Sequence, residues 1–111
     1  LLEGQIHGGV AQGAAQALLE EVRYDADGNP ITSNLADYAF ISAAELPSVK
    51  VVHMETPTHV NLLGAKGIGE QALIPTAPAI LNAIHHATGA RITRIPATPE
   101  RVLAAIRNTV P

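Results

Sequence analysis

Gly9 and Gly13 stand four residues apart in a segment whose apolar positions recur at helical spacing. Val10, Ala14, Ala17 and Leu18, with Glu21 closing the run, predict one amphipathic helix over residues 8–21, and alanine and leucine favour that state. Glycine weakens a helix interior, so a pair of glycines on one face makes sense where a second backbone has to come close. The helix is therefore expected to pack tightly through Gly9 and Gly13.

Its neighbours have to be built from similarly small pieces. The 111 residues are 47% hydrophobic, yet aromatics are only 3% and tryptophan is absent, so the core is expected to be thin layers of alanine and aliphatic side chains. That is enough apolar material for one core, and no repeat or linker divides the chain. A second helix is expected after Thr76 as its cap, with Pro78 in the first turn, Ile80, Ala83, Ile84 and Ala87 on one face, and Gly89 as the stop. Thr98-Pro99-Glu100 predicts the start of a third helix, anchored by Val102, Leu103 and Ile106.

Between the helices, β-branched runs at Val49 to Glu55 and Arg91 to Ile95 read as strands, and Val22 to Ser33 reads as a hairpin about the turn residues Asp25 to Pro30. Together these predict an α+β fold in two layers, a mixed β-sheet with packed helices, as one unit over residues 1–111. The opening Leu1-Leu2-Glu3 carries no initiator methionine and is expected to be a cut within a longer polypeptide.

Several function classes fall away. A net charge of -3, two tyrosines and one phenylalanine provide neither a basic face nor a stacking platform for nucleic acid. No apolar run reaches membrane-spanning length. Without cysteine the chain offers no thiolate to zinc or an iron-sulfur centre, and its five histidines show no ligand spacing, so no metal ligand is assigned. Asp25, Asp27 and Asn29 have calcium-loop spacing, but Pro30 occupies the glycine position and no glutamate closes the loop, so a turn is expected.

Gly64-Ala65-Lys66-Gly67-Ile68-Gly69-Glu70 is the densest chemical signal: three glycines and a lysine followed at once by a carboxylate. Such a loop can bring backbone N–H groups and one functional side chain close to a ligand, or it can be a turn ahead of a helix. Gly67 to Ala72 fits a dinucleotide fingerprint, but Pro75 and Pro78 interrupt the helix that should begin there, and Lys66 precedes Gly67 in the wrong order for a phosphate-binding loop. A second candidate is Gly4-Gln5-Ile6-His7-Gly8-Gly9, where an amide side chain sits among glycines at a helix entry.

Taken in order, Gly4 to Gly9 with its Gln-Gly helix, Asp37-Tyr38, Gly64 to Glu70 and Pro96-Ala97-Thr98-Pro99-Glu100 resemble the C-terminal part of the molybdopterin-binding large subunit of the xanthine dehydrogenase/aldehyde oxidase family, the molybdenum hydroxylases. The chain departs from that family after Tyr38, where Ala39 to Ala44 lacks a proline. The resemblance implies that Glu70 is the general base, taking a proton from the water-derived oxygen that attacks an electrophilic carbon of an aldehyde, purine or N-heterocycle. It implies that Gln5 contacts the pterin, that Gly67, Ile68 and Gly69 line it, and that Lys66 is an orienting or structural charge. The cofactor would be a molybdenum-pyranopterin, as molybdopterin or its cytosine dinucleotide form. Iron-sulfur clusters and FAD would sit on other domains or subunits. Implied partners are the remainder of the large subunit, iron-sulfur and flavin subunits and a small-molecule substrate. The isolated piece is expected to be inactive and to self-associate through apolar patches. The competing expectation is a non-catalytic cofactor-binding or subunit-assembly module in which Glu70 only caps a helix.

Overall fold

The computed structural model describes residues 1–109, and three helices carry its regular structure: α1 (Leu2–Leu18), α2 (Leu73–Thr88) and α3 (Pro99–Thr109). Helix α1 lies along α2 through its glycine face. A Cβ built on Gly9 would stand 2.7 Å from the Ala72 Cβ, and one on Gly13 would stand 2.5 Å from the Thr76 Cβ. Both helices advance by four residues between these contacts, so they run in the same direction with matched turns. The expected close packing is present.

Helix boundaries differ from expectation at two places. α1 begins at Leu2 rather than Gly8, taking Gly4 and Gly8 into its body; packing of the glycine face against α2 overrides their low propensity. It ends at Leu18, because Leu19 and Glu20 both donate to the Ala15 carbonyl at 2.8 Å and turn the chain before Glu21. α2 begins at Leu73 rather than after Thr76, since the Glu70 carbonyl already accepts from the Leu73 and Ile74 amides at 3.1 and 3.2 Å. Thr76 is not a cap; its hydroxyl donates back to the Ala72 carbonyl at 2.6 Å. The left-handed Gly89 (φ 73°) stops α2 and donates to His85, and Thr98 caps α3 through the Arg101 and Val102 amides, both as expected.

The mixed sheet is not formed among the described residues. The hairpin closes as a single antiparallel bridge, Tyr24 to Pro30. Its turn is tight because the Asp25 carboxylate accepts from the amides of Asp27 and Asn29 at 2.9 and 2.8 Å, which also holds that carboxyl below its ordinary range, the Asn29 amide most of all. Residues 49–55 and 91–95 lie in irregular chain without ladder partners. A β-branched sequence supplies strand capacity, but a strand exists only beside another backbone, and no segment described here runs alongside either.

The core is correspondingly small. Among the described residues its buried hydrophobic side chains are those of alanines, Ala15, Ala17, Ala77, Ala90 and Ala97, whereas Val52, Met54, Val60, Leu62 and Leu63 are exposed. The radius of gyration is 17.7 Å, against about 13 Å for a compact domain of such length. An apolar cavity of about 570 Å³ also remains where α1 and α2 meet the 41–47 segment, lined by Val10, Ala14, Leu18, Ile41, Ile80 and Ala83.

A polar clasp ties α3 to the end of α1. The Glu21 carboxylate accepts from Arg101 Nη2 at 2.6 Å and Arg94 Nη2 at 3.4 Å, Arg101 Nη1 donates to the Pro96 carbonyl at 2.8 Å, and the Ala97 amide donates to the Ala17 carbonyl at 2.6 Å. The Arg101 hydrogen bond lowers the Glu21 pKa. A carboxyl with a depressed folded-state pKa contributes stability above its unfolded pKa and loses it as pH falls through the folded one. Arg101→Met should therefore speed hydrogen exchange of the α3 amides at neutral pH, with the difference from the parent shrinking once the pH falls below the lowered Glu21 pKa.

Candidate functional site

The glycine-rich loop is organised by a residue that the sequence reading passed over. Asn61 Oδ1 accepts from the Leu63 and Ala65 amides at 3.1 and 3.0 Å, and its Nδ2 donates to the Ala65 carbonyl at 2.8 Å. Asparagine ahead of a glycine is a turn signal that was available in the sequence. Gly64, with φ 62°, presses so close to Pro57 that a Cβ would stand 2.8 Å from the Pro57 Cβ, while the Thr58 amide donates back to the Gly64 carbonyl at 3.1 Å. Both the conformation and the space therefore require glycine there. Lys66 reaches across to donate to Thr56 Oγ1 at 2.5 Å, which makes it a brace between the loop and the 53–57 segment.

Gly67 and Gly69 are different. Neither has a positive φ, and neither has any heavy atom within 4 Å of where a Cβ would stand. Nothing among the described residues explains why these positions lack side chains; they leave bare backbone on an open face.

Gln5 completes the arrangement. Its Nε2 donates to the Gly69 carbonyl at 2.8 Å across 64 positions of sequence, so two of the segments singled out above meet directly. The register of the two helices accounts for it: Gly13 faces Thr76 and Gly9 faces Ala72, so one turn earlier Gln5 faces the residues just ahead of α2. One further Nε2 hydrogen and the Oε1 acceptor stay available on that amide.

Glu70 follows Gly69 where the chain enters α2. Its backbone carbonyl starts the helix, while its side chain is exposed and accepts no hydrogen bond from the described residues. Beside this point a cleft of about 570 Å³ opens between the start of α1, the 53–57 segment and the loop, lined among others by Leu2, Ile6, His53, Met54, Gly67 and Ile68. Gly67 and Ile68 face the cleft; Glu70 is not among its lining residues. Of the five positions proposed from sequence, the structure thus joins Gln5, Gly69 and the Glu70 backbone in one hydrogen-bonded junction and sets Gly67 and Ile68 on the cleft wall. Tyr38, from another motif block, donates to Glu20 at 2.9 Å, which raises its pKa, and belongs to the packing around the end of α1.

The chain is similar to known proteins over nearly its whole length. Residues 1–47 match the family model of the molybdopterin cofactor-binding domain. The chain is 38% identical to the nicotine 6-hydroxylase large subunit of Paenarthrobacter nicotinovorans, over 99% of this chain and 14% of that protein. It is 39% identical to the xanthine dehydrogenase molybdenum-binding subunit of Escherichia coli O157:H7, over 92% of this chain and 14% of that one. It superposes on quinoline 2-oxidoreductase from Pseudomonas putida 86 with a TM-score of 0.86 and 39% identity, covering 95% of this chain and 14% of the solved one. The chain thus spans about one seventh of the length of these relatives. Likeness of this extent over nearly the whole chain is decisive: the chain belongs to the xanthine dehydrogenase/aldehyde oxidase family of molybdopterin-binding large subunits.

Proposed function

We propose that this chain is part of a larger catalytic subunit and supplies the general-base glutamate, Glu70, together with one wall of the pterin site, to a molybdenum hydroxylase acting on an aldehyde, purine or N-heterocycle. The observation that carries the reading is the 2.8 Å bond from Gln5 to the Gly69 carbonyl, which draws the two candidate cofactor segments into one junction directly beside Glu70.

The chain's own residues suit the group. Bare backbone at Gly67 and Gly69 lets a flat ring system approach within van der Waals distance, and the unspent donor and acceptor of Gln5 match the mixed hydrogen-bonding edge of a pterin. No cluster of three metal-ligating side chains forms among the described residues, so in this reading the pterin carries the molybdenum and the chain encloses the pterin. Bound there, the cofactor supplies two-electron acceptance, so that a C–H bond and water become a C–OH group, two electrons and two protons. Glu70 takes the proton from the attacking oxygen, and its carboxylate, tied down by no described residue, is free to receive it. Gln5 and the Gly67 to Gly69 backbone hold and orient the ring system. Iron-sulfur and flavin partners carried on other domains or subunits would take up the electrons, and the pterin would be either molybdopterin or its cytosine dinucleotide form.

Glu70→Gln in the full-length enzyme tests the assignment: turnover should collapse with molybdenum content unchanged. Near-normal turnover would leave a cofactor-binding or assembly module as the function of this chain.

The same reading makes a prediction for the chain by itself. Exposed Val52, Met54, Val60, Leu62 and Leu63, with the open apolar cavity, are surfaces that the remainder of the subunit would cover. Expressed alone, residues 1–111 should be inactive and should self-associate, with a mass by light scattering that rises with concentration; a monomer at high concentration would show that these faces need no cover.

A further inference from the structure

We infer that Gln5 is a positioning residue for Glu70, acting through the Gly69 peptide; this rests on the reading of Glu70 as the base. Among the described residues, backbone hydrogen bonds fix the Gly69–Glu70 junction from two sides. On the helix side, the Glu70 carbonyl accepts from the Leu73 and Ile74 amides at 3.1 and 3.2 Å. On the loop side, the Gln71 amide reaches the Ile68 carbonyl at 3.4 Å, a long bond, and Gly67 and Gly69 have no side chains with which to wedge themselves in place. A peptide that follows a glycine rotates easily about that glycine unless something holds it. Gln5 Nε2 holds it, at 2.8 Å, and this is the one side-chain hydrogen bond described for residues 67–71.

The anchor behind Gln5 is stiff. Gly9 and Gly13 seat α1 on α2 at Ala72 and Thr76, and Gln5 is one turn further along the same face. The position of Glu70 is thereby referenced to the helix pair as well as to its own loop. A rotation about the Gly69 Cα–C bond, which the held carbonyl oxygen resists, would carry the Glu70 Cα, and with it the carboxylate, away from its place at the head of α2. Misplacing a reacting group by about 1 Å can cost roughly 10²-fold in rate.

The test is Gln5→Met in the full-length enzyme, which keeps the length of the side chain and removes its donor, with Gln5→Glu, equally long, as a second variant. Expected for both are a kcat lower by about 10- to 100-fold with a smaller change in KM, molybdenum content near that of the parent, and faster hydrogen exchange at the Gln71 to Ile74 amides. Gln5→Met combined with Glu70→Gln should be no slower than Glu70→Gln alone, because a misplaced base and an absent one lose the same thing. A kcat within twofold of the parent, losses that multiply in the double variant, or unchanged exchange at residues 71–74 would each overturn the proposal. Loss of molybdenum from both variants would overturn it in favour of Gln5 as a cofactor contact alone. The base reading fails separately, through near-normal turnover of Glu70→Gln; exchange in Gln5→Met would then still show whether Gln5 holds the junction.

Discussion

Glu70→Gln should lower kcat/KM of the full-length enzyme by roughly 10²- to 10⁴-fold, the range that a positioned general base contributes, while leaving molybdenum content and α2 unchanged. The substitution is nearly isosteric, and the structure shows why little else should move. The Glu70 side chain makes no hydrogen bond to a described residue, so nothing within the chain is left unsatisfied, and its contribution to α2 is made by the backbone carbonyl, which glutamine retains. A drop in activity therefore reports the lost proton acceptor. Because the effect concerns the chemical step, kcat and kcat/KM should fall together rather than KM rising alone. Turnover within a few-fold of the parent would remove Glu70 from catalysis, and loss of molybdenum would assign it to cofactor retention.

What the sequence revealed and what it concealed follow from range. Features decided within a few residues were legible: Gly89 as the stop of α2, Thr98-Pro99-Glu100 as the start of α3, and the Asp25 turn. The glycine pair at 9 and 13 also announced a close helix contact, though not its partner; that Ala72 and Thr76 receive it depends on a register that no local pattern states. The start of α2 was misplaced because Thr76 looks like a cap, while the true start is set by the Glu70 carbonyl at the end of the loop. The strands were over-read for a related reason. Residues 49–55 have the side chains of a strand, but pairing is a property of two segments, and the second is not among the described residues. At the site, the residue types Gln5, Gly67, Ile68, Gly69 and Glu70 could be listed from motif order, whereas the bond from Gln5 to Gly69 could not, since it exists only once the two helices are aligned.

The helix register yields the second large effect, and a pair of glycines in one helix supplies its internal control. Gly→Ala in a helix interior normally gains about 1 kcal/mol from backbone entropy and propensity. At Gly8 nothing lies within 4 Å of the new methyl group, so that gain should be realised within this chain and α1 should exchange its amides more slowly. At Gly13 the same methyl group would stand 2.5 Å from the Thr76 Cβ, 2.9 Å from its Cγ2 and 3.1 Å from the Leu73 carbonyl oxygen. No rotamer change relieves this, because the Cβ and the carbonyl move only with the backbone of α2. The helices must separate, and forcing a methyl group into a packed contact costs about 1–3 kcal/mol, enough to outweigh the propensity gain. Gly13→Ala should therefore accelerate exchange along both α1 and α2, and it should also depress turnover, since parting the helices lengthens the Gln5 to Gly69 bond one turn beyond Gly9. If Gly13→Ala instead slowed exchange as Gly8→Ala does, the glycine face would not be what sets the two helices together, and the placement of Glu70 would have to come from the loop organised by Asn61.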